Sequence, residues 1–248
     1  MKKLILIAND LESTGKTTTS HVLSEYLERK GTKNKIVSTD VHAGPSCEDQ
    51  PLLDLNDGVT ASDFISMLDK WGTVILDLHS DGGAAVLGEI FQEEEIGNVL
   101  SEIEAELTIV IPANEEAEGY EKMIEIAEVF NDDADYIVVH TPMSAELDGS
   151  YEHSEAAKAL DYLGCVEVEM PEFDSEFMKM IDELGLTLGT ALANRKSLPR
   201  HLASEVHSWE LAFAEEFIGA DEFLQPGSGA ATSSPYRKVK KQGVALAS

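Results

Sequence analysis

Short apolar runs alternate with amphipathic stretches along most of the chain. The first run, Leu4-Ile5-Leu6-Ile7-Ala8, is bounded by polar residues and reads as a buried strand. After Gly15 the apolar residues return at helical spacing, with Val22, Leu23, Tyr26 and Leu27 on one face. That spacing predicts a helix over Lys16–Lys30, closed by Gly31. Further strands are predicted at Lys35–Ser38, Thr73–Leu78, Thr108–Ile111, Tyr136–Val139 and Val166–Met170, with Pro112 and Pro171 as stops. Between and after them, helices are predicted at Ala61–Lys70 with Thr60 as cap, Ala84–Phe91, Ile96–Glu104, Glu115–Phe130, Ser154–Leu163, Ser175–Leu184 and Leu198–Phe217. Strands separated by helices in repeated units give an α/β fold, with a mostly parallel sheet covered by helices on both faces. Ligands of such sheets bind at the carboxyl ends of the strands.

The 248 residues suit one α/β domain, which the pattern assigns to residues 1–225. From Pro226 the chain turns Gly/Ser/Ala-rich, and residues 226–248 read as a flexible tail. Arg237, Lys238, Lys240 and Lys241 form its basic cluster, which is either an idle end or a short docking segment. The rest is acidic: 18 Lys+Arg stand against 47 Asp+Glu, a formal charge of −29. Such a surface repels DNA and anionic lipid, so non-specific nucleic-acid binding by the folded body is disfavoured.

Cys47 and Cys165 give neither a disulfide framework nor a metal-ligand spacing, and Cys165 reads as a small core residue. The seven histidines form no H-E-x-x-H pattern, so a zinc site has no support. The first apolar run is too short for a signal peptide, and no segment has the length of a membrane span. The expected location is the cytoplasm.

The chemistry concentrates where the first strand hands over to the first helix. Gly15-Lys16-Thr17 stands at that junction, the context in which a G-K-[ST] match gains meaning. Helix-start N–H groups and the helix dipole favour a polyphosphate there, cradled by Ser13, Thr14, Gly15, Lys16, Thr17 and Thr18. Lys16 can reach the β- and γ-phosphates, and the Thr17 hydroxyl can ligate Mg²⁺. Two features depart from the full motif. Asp10 stands where it has a glycine, and Glu12 brings an acid into an anion site, where like charges 4 Å apart repel by about 1 kcal/mol even in bulk water. Asp77 ends the run Val74-Ile75-Leu76, as a Walker-B aspartate does, and is the second candidate Mg²⁺ ligand. Asp40 ends the preceding strand and is a candidate for orienting the attacking water; His79 reads as a switch residue beside the phosphates or as a surface histidine.

These residues resemble the ParA/MinD group of P-loop ATPases, including its conjugation-associated TraL-like members, over roughly Lys2 to Phe217. Gly15-Lys16-Thr17-Thr18 is similar to the group's G-K-[ST]-T, Asp40 to its switch-I aspartate, and Asp77 to Gly82 to its switch-II D-x-x-x-x-G. The strand ending at Met170-Pro171 resembles the segment before its base-contacting loop, and the part from Tyr136 to the helix holding Trp209 looks most like the TraL-like branch. The resemblance implies Mg·ATP or Mg·ADP binding with Pro171 near the base, slow hydrolysis with Lys16 and Asp40 as catalytic residues, and a face-to-face homodimer. It further implies a partner in plasmid partition or conjugative transfer.

The departures carry their own expectations. The group's K-G-G-x-G-K-[ST] is replaced by Leu11, Glu12 and Ser13 at its first three places. Without that first lysine, dimer-dependent hydrolysis loses its cation; without the glycines, the loop has fewer backbone conformations open to it. Ser38 stands where many members carry another aspartate, and no base-reading asparagine is evident around His140-Thr141-Pro142. Two alternatives follow. Dethiobiotin synthetase has a similar fold, length and acidic P-loop, but the Lys-Pro strand expected after the first helix is replaced by Ile36-Val37-Ser38-Thr39-Asp40. A nucleotide-binding adaptor with little turnover fits the acidic loop and the missing lysine.

Overall fold

The computed structural model describes residues 1–41, 50–113, 117–142 and 151–227. Cys47 and the basic cluster of the tail lie outside the described residues. Six parallel strands form one sheet: β1 (Lys2–Ile7), β2 (Asn34–Ser38), β3 (Thr73–Asp77), β4 (Ala105–Ala113), β5 (Asp135–His140) and β6 (Val166–Glu169), in the spatial order β2-β3-β1-β4-β5-β6. The α/β class with a parallel sheet covered on both faces is therefore the observed architecture.

Alternation along each strand feeds two cores. Leu4, Leu6, Val74, Leu76, Ile109, Ile111, Tyr136 and Val138 share one with apolar residues of α2 (Ala61–Trp71), α3 (Gly83–Glu93), α4 (Ile96–Glu102), α5 (Ala117–Phe130) and α6 (Glu155–Leu163). Ile5, Ile7, Ile75, Val110, Ile137 and Val139 share the other with α1 (Lys16–Arg29), α7 (Ser175–Glu183), α8 (Leu188–Ala193), α9 (Arg200–Glu216) and α10 (Asp221–Leu224). All of Leu4–Ala8 is fully buried, and each such Leu or Ile contributes roughly 1.5–3 kcal/mol. A buried strand on both faces shows no period-2 pattern, which is why β1 reads as a plain apolar run.

Most predicted elements lie within two residues of the observed bounds, and Asp63 accepts from both N–H (2.8 Å) and hydroxyl (2.9 Å) of Thr60 at the start of α2. Pro112 does not stop its strand: β4 runs through it to Ala113 and pairs with Val139 at that position. The carbonyl of Pro112 faces the β1 side and accepts from Asn9 Nδ2 at 2.7 Å, past the last ladder pair Ile7–Val110. The missing N–H therefore points where no strand remains to receive it, and costs no ladder bond. The helix α8 was not predicted. It is six residues long, too short to display a period, although Thr187 and Thr190 form a capping pair at its start.

The far end of the sheet, where the strands begin, is closed by a buried charge cluster and by the last described residues. Lys3, fully buried, lies 3.4 Å from Glu106 and 3.7 Å from Asp135. Thr108 Oγ1 donates to the Phe223 carbonyl (2.6 Å), and the Gly227 N–H donates to Glu106 Oε2 (3.2 Å).

Candidate functional site

The carboxyl ends of β1, β2 and β3 bring the predicted acids and the glycine-lysine turn to one edge. Gly15 is the residue before α1 and has φ +86°, a left-handed conformation that glycine adopts without a Cβ penalty. A Cβ there would also come within 3.1 Å of Met170 Cε and 3.5 Å of Thr141 Cγ2. The exits of β5 and β6 thus abut the helix start. The first intrahelical bond runs from Thr19 N–H to the Gly15 carbonyl (2.8 Å), so the N–H groups of Lys16, Thr17 and Thr18 have no partner within the helix.

The loop reaches this geometry without the motif's other glycines. Ser13 itself takes φ +58°, at a cost of roughly 1–2 kcal/mol for a residue with a Cβ. The expected restriction is therefore met, at Ser13, by a strained residue. Asn9 is fully buried, and its Oδ1 accepts from the Leu11 N–H (2.8 Å) while its amide donates to Pro112. Glu12 is exposed, so its charge is mostly solvated.

Lys16 is buried, and its ammonium donates to the Leu11 carbonyl (2.5 Å) and to Ser80 Oγ (3.0 Å). Burial holds its pKa below the usual lysine value, while the carboxylates of Asp77, Asp10 and Glu12 pull it upward. Asp77, only 6% exposed, ends β3. Burial pushes its pKa up to about 6, against the hydroxyls of Thr17 and Ser20 and the Lys16 charge, which lower it; the Asp40 charge acts in the same direction as burial. Asp40 is half-buried, and its backbone N–H donates to Ser38 Oγ (3.1 Å). Thr39 joins the two strand ends: its N–H donates to the Asp77 carbonyl (3.1 Å), and its hydroxyl accepts from the His79 N–H (2.9 Å) and meets His79 Nδ1 (2.9 Å).

Asp77 Oδ1 is buried with no hydrogen-bond partner. An anionic oxygen in that state, beside the Thr17 hydroxyl, suits a hard cation that takes oxygen ligands, and Mg²⁺ is commonly held by one or two carboxylates plus substrate phosphates. Among the described residues no group of three or more His, Cys, Asp or Glu side chains could hold a metal ion unaided. The donor set fits a Mg²⁺ ion that arrives with phosphate oxygens.

A Cβ on Gly189 of α8 would meet Thr17 Cβ and Thr18 N at 3.2 Å, so α8 lies hard against the first turn of α1. Pro171 follows β6, and its carbonyl accepts from Trp209 Nε1 (2.9 Å). The sequence reading missed Gly189, and it named Ser80 and Met170 only as parts of longer segments, without their contacts to Lys16 and Gly15. It read Asp10 as a lost glycine and as one of the loop's acids, although Asp10 accepts from the Asp81 N–H before α3 and from the Ala84 N–H in its first turn. Cys165 is half-buried and its thiol is pushed up to about 12 by burial, in keeping with a packing role. Among the described residues no helix is long and apolar enough to cross a membrane.

No family model matches the chain, and no curated protein matches it. Solved structures do show likeness to it. It is similar to apo McdA of Cyanothece, with 16% identity over 91% of this chain and 100% of that one and a TM-score of 0.48. The MinD cell division protein of Aquifex aeolicus has 11% identity over 86% and 97%, TM-score 0.47. The septum site-determining protein MinD complexed with Mg-ADP, from Pyrococcus horikoshii OT3, has 15% identity over 91% and 99%, TM-score 0.47. At such identities no residue role passes from those proteins to this one.

Proposed function

We propose that this chain binds ATP and ADP with Mg²⁺ at the loop between β1 and α1 and hydrolyses ATP slowly, in the manner of the ParA/MinD-like ATPases its motifs resemble. The observation that carries the reading is the meeting of Lys16 and Asp77 at one sheet edge, both buried, with the unpartnered Asp77 Oδ1 beside Thr17. Unpaired N–H groups at the start of α1 receive the phosphates, with Ser13, Thr14, Gly15 and Thr18 shaping the cradle. Lys16 leaves the Leu11 carbonyl and Ser80 to bind phosphate oxygens. Thr17 and Asp77 hold Mg²⁺, which when bound offsets phosphate charge. Asp40 would orient the attacking water, and Pro171 would contribute to the base side of the site. The cargo inherited from the resemblance is a plasmid-partition or conjugation partner, acting through a nucleotide-dependent homodimer.

A second reading has support in one residue. Leu11 stands where the group's dimer-reaching lysine would be, and among the described loop residues no other cation takes its place. That favours an adaptor which binds nucleotide with little turnover. Calorimetry with Mg·ADP on wild type and Lys16→Ala tests the site itself. Binding to wild type and none to the variant is expected; equal affinities would sink the proposal. Phosphate release with ATP alone then separates a slow ATPase from an adaptor.

A further inference from the structure

Asp10 occupies the place where the phosphate-loop motif has a glycine, yet its φ is not among the left-handed ones and nothing at this position demands glycine. Its hydrogen bonds reach the next loop. The Asp10 side chain accepts the Ala84 N–H at Oδ1 (2.8 Å), and its carbonyl accepts the Asp81 N–H (3.1 Å). Ala84 lies in the first turn of α3, whose own N-cap residue, Gly82, has no side chain to cap with. Asp10 is therefore the cap of a helix that begins more than seventy residues later in the chain. The segment it grips, residues 78–82, follows Asp77 directly and carries Ser80, the partner of Lys16. Ser80 Oγ also approaches the Leu11 carbonyl at 3.4 Å. The two loops of the site are thus laced together, and Asp10 makes the lacing at the α3 end.

We propose that Asp10 is a positioning residue: it locks the turn after Asp77 to the phosphate loop, so that the metal carboxylate and the phosphate cradle keep one geometry. This rests on the nucleotide-binding reading above. The charge and the tether predict opposite effects. As a charge, Asp10 opposes an incoming phosphate, so its neutralisation alone strengthens nucleotide binding whichever residue replaces it. As a tether, it is replaceable by Asn, whose Oδ1 still accepts from Ala84, and not by Ala or Gly.

The test compares wild type with Asp10→Asn, Asp10→Ala and Asp10→Gly, the last restoring the motif's own residue. ADP affinity is measured with and without Mg²⁺, and the ratio gives the metal coupling. The Asn variant is expected to keep the wild-type ratio, and the Ala and Gly variants to lose about fivefold or more of it. Amide exchange of Asp81 and Ala84, followed without nucleotide, is expected to stay slow in Asn and to accelerate in Ala and Gly. Equal coupling in all three variants would reduce Asp10 to a charge and overturn the proposal, as would unchanged protection of both amides. If wild type binds no nucleotide, the functional reading fails, and the exchange measurement alone decides whether the tether exists.

Discussion

Lys16 and Ser80 face each other across two loops, ammonium to hydroxyl at 3.0 Å. The lysine that would bind phosphate is therefore already engaged by the turn after Asp77 and must surrender that bond when a nucleotide arrives. A hydrogen bond of this kind has a net worth of about 0.5–1.5 kcal/mol. Ser80→Ala should accordingly strengthen Mg·ADP binding by about two- to twelvefold, measured by calorimetry at fixed salt. Unchanged or weaker binding would mean that Ser80 contributes to the bound state as well.

Asp77 gives a pH dependence of definite sign. Its pKa in the folded protein is about 6, above the ordinary 3.8, so between those values the folded state holds more protons than the unfolded one. The contribution to stability is full below about pH 4 and is lost as pH rises through 6. Asp77→Asn lacks the buried charge. In metal-free buffer at pH 8 it should be more stable than wild type by up to about 3 kcal/mol, the gain vanishing near pH 4. Urea unfolding at both pH values, with chelator, measures this.

On the proposed reading, Leu11→Lys would supply a cation against a partner's phosphates, where charge develops in phosphoryl transfer, and Glu12 next to it is exposed. Phosphate release, or dimer formation with a non-hydrolysable ATP analogue in sedimentation, should rise above wild type. A wild type that already forms a tight nucleotide-bound dimer and turns over as fast as the variant would show that another residue supplies the charge.

The buried cluster at the opposite edge predicts a large loss. Lys3→Met removes the cation that lies between Glu106 and Asp135, both nearly buried, and takes the compensating charge away from both carboxylates. Breaking a buried pair in this way costs about 3–5 kcal/mol. Denaturant unfolding of wild type and variant at pH 7 should show it.

What could be read from the sequence was what local pattern encodes. The apolar run of β1, the glycine before α1 and the aspartate closing β3 each announce themselves within a few residues. Sheet order does not, because β4 pairs with β1 across a hundred positions and nothing in either strand records the partner. The role of Asp10 was hidden for the same reason, since its acceptor geometry exists only once α3 has packed beside the loop. Pro112 misled because the rule against proline holds for residues flanked by strands on both sides, and β1 has already ended at that level. The α8 turn over Thr17 and Thr18 was lost to its brevity.

Gly227 is fastened to Glu106 where the strands begin, whereas Lys16, Asp40 and Asp77 gather where β1, β2 and β3 finish. Six residues of β1 separate the two edges, about 20 Å at roughly 3.3 Å per residue. The last described residue is thus anchored at the edge opposite Lys16 and Asp77, with the length of β1 between them. Gly227 therefore closes the base of the sheet without standing at the edge proposed for the nucleotide.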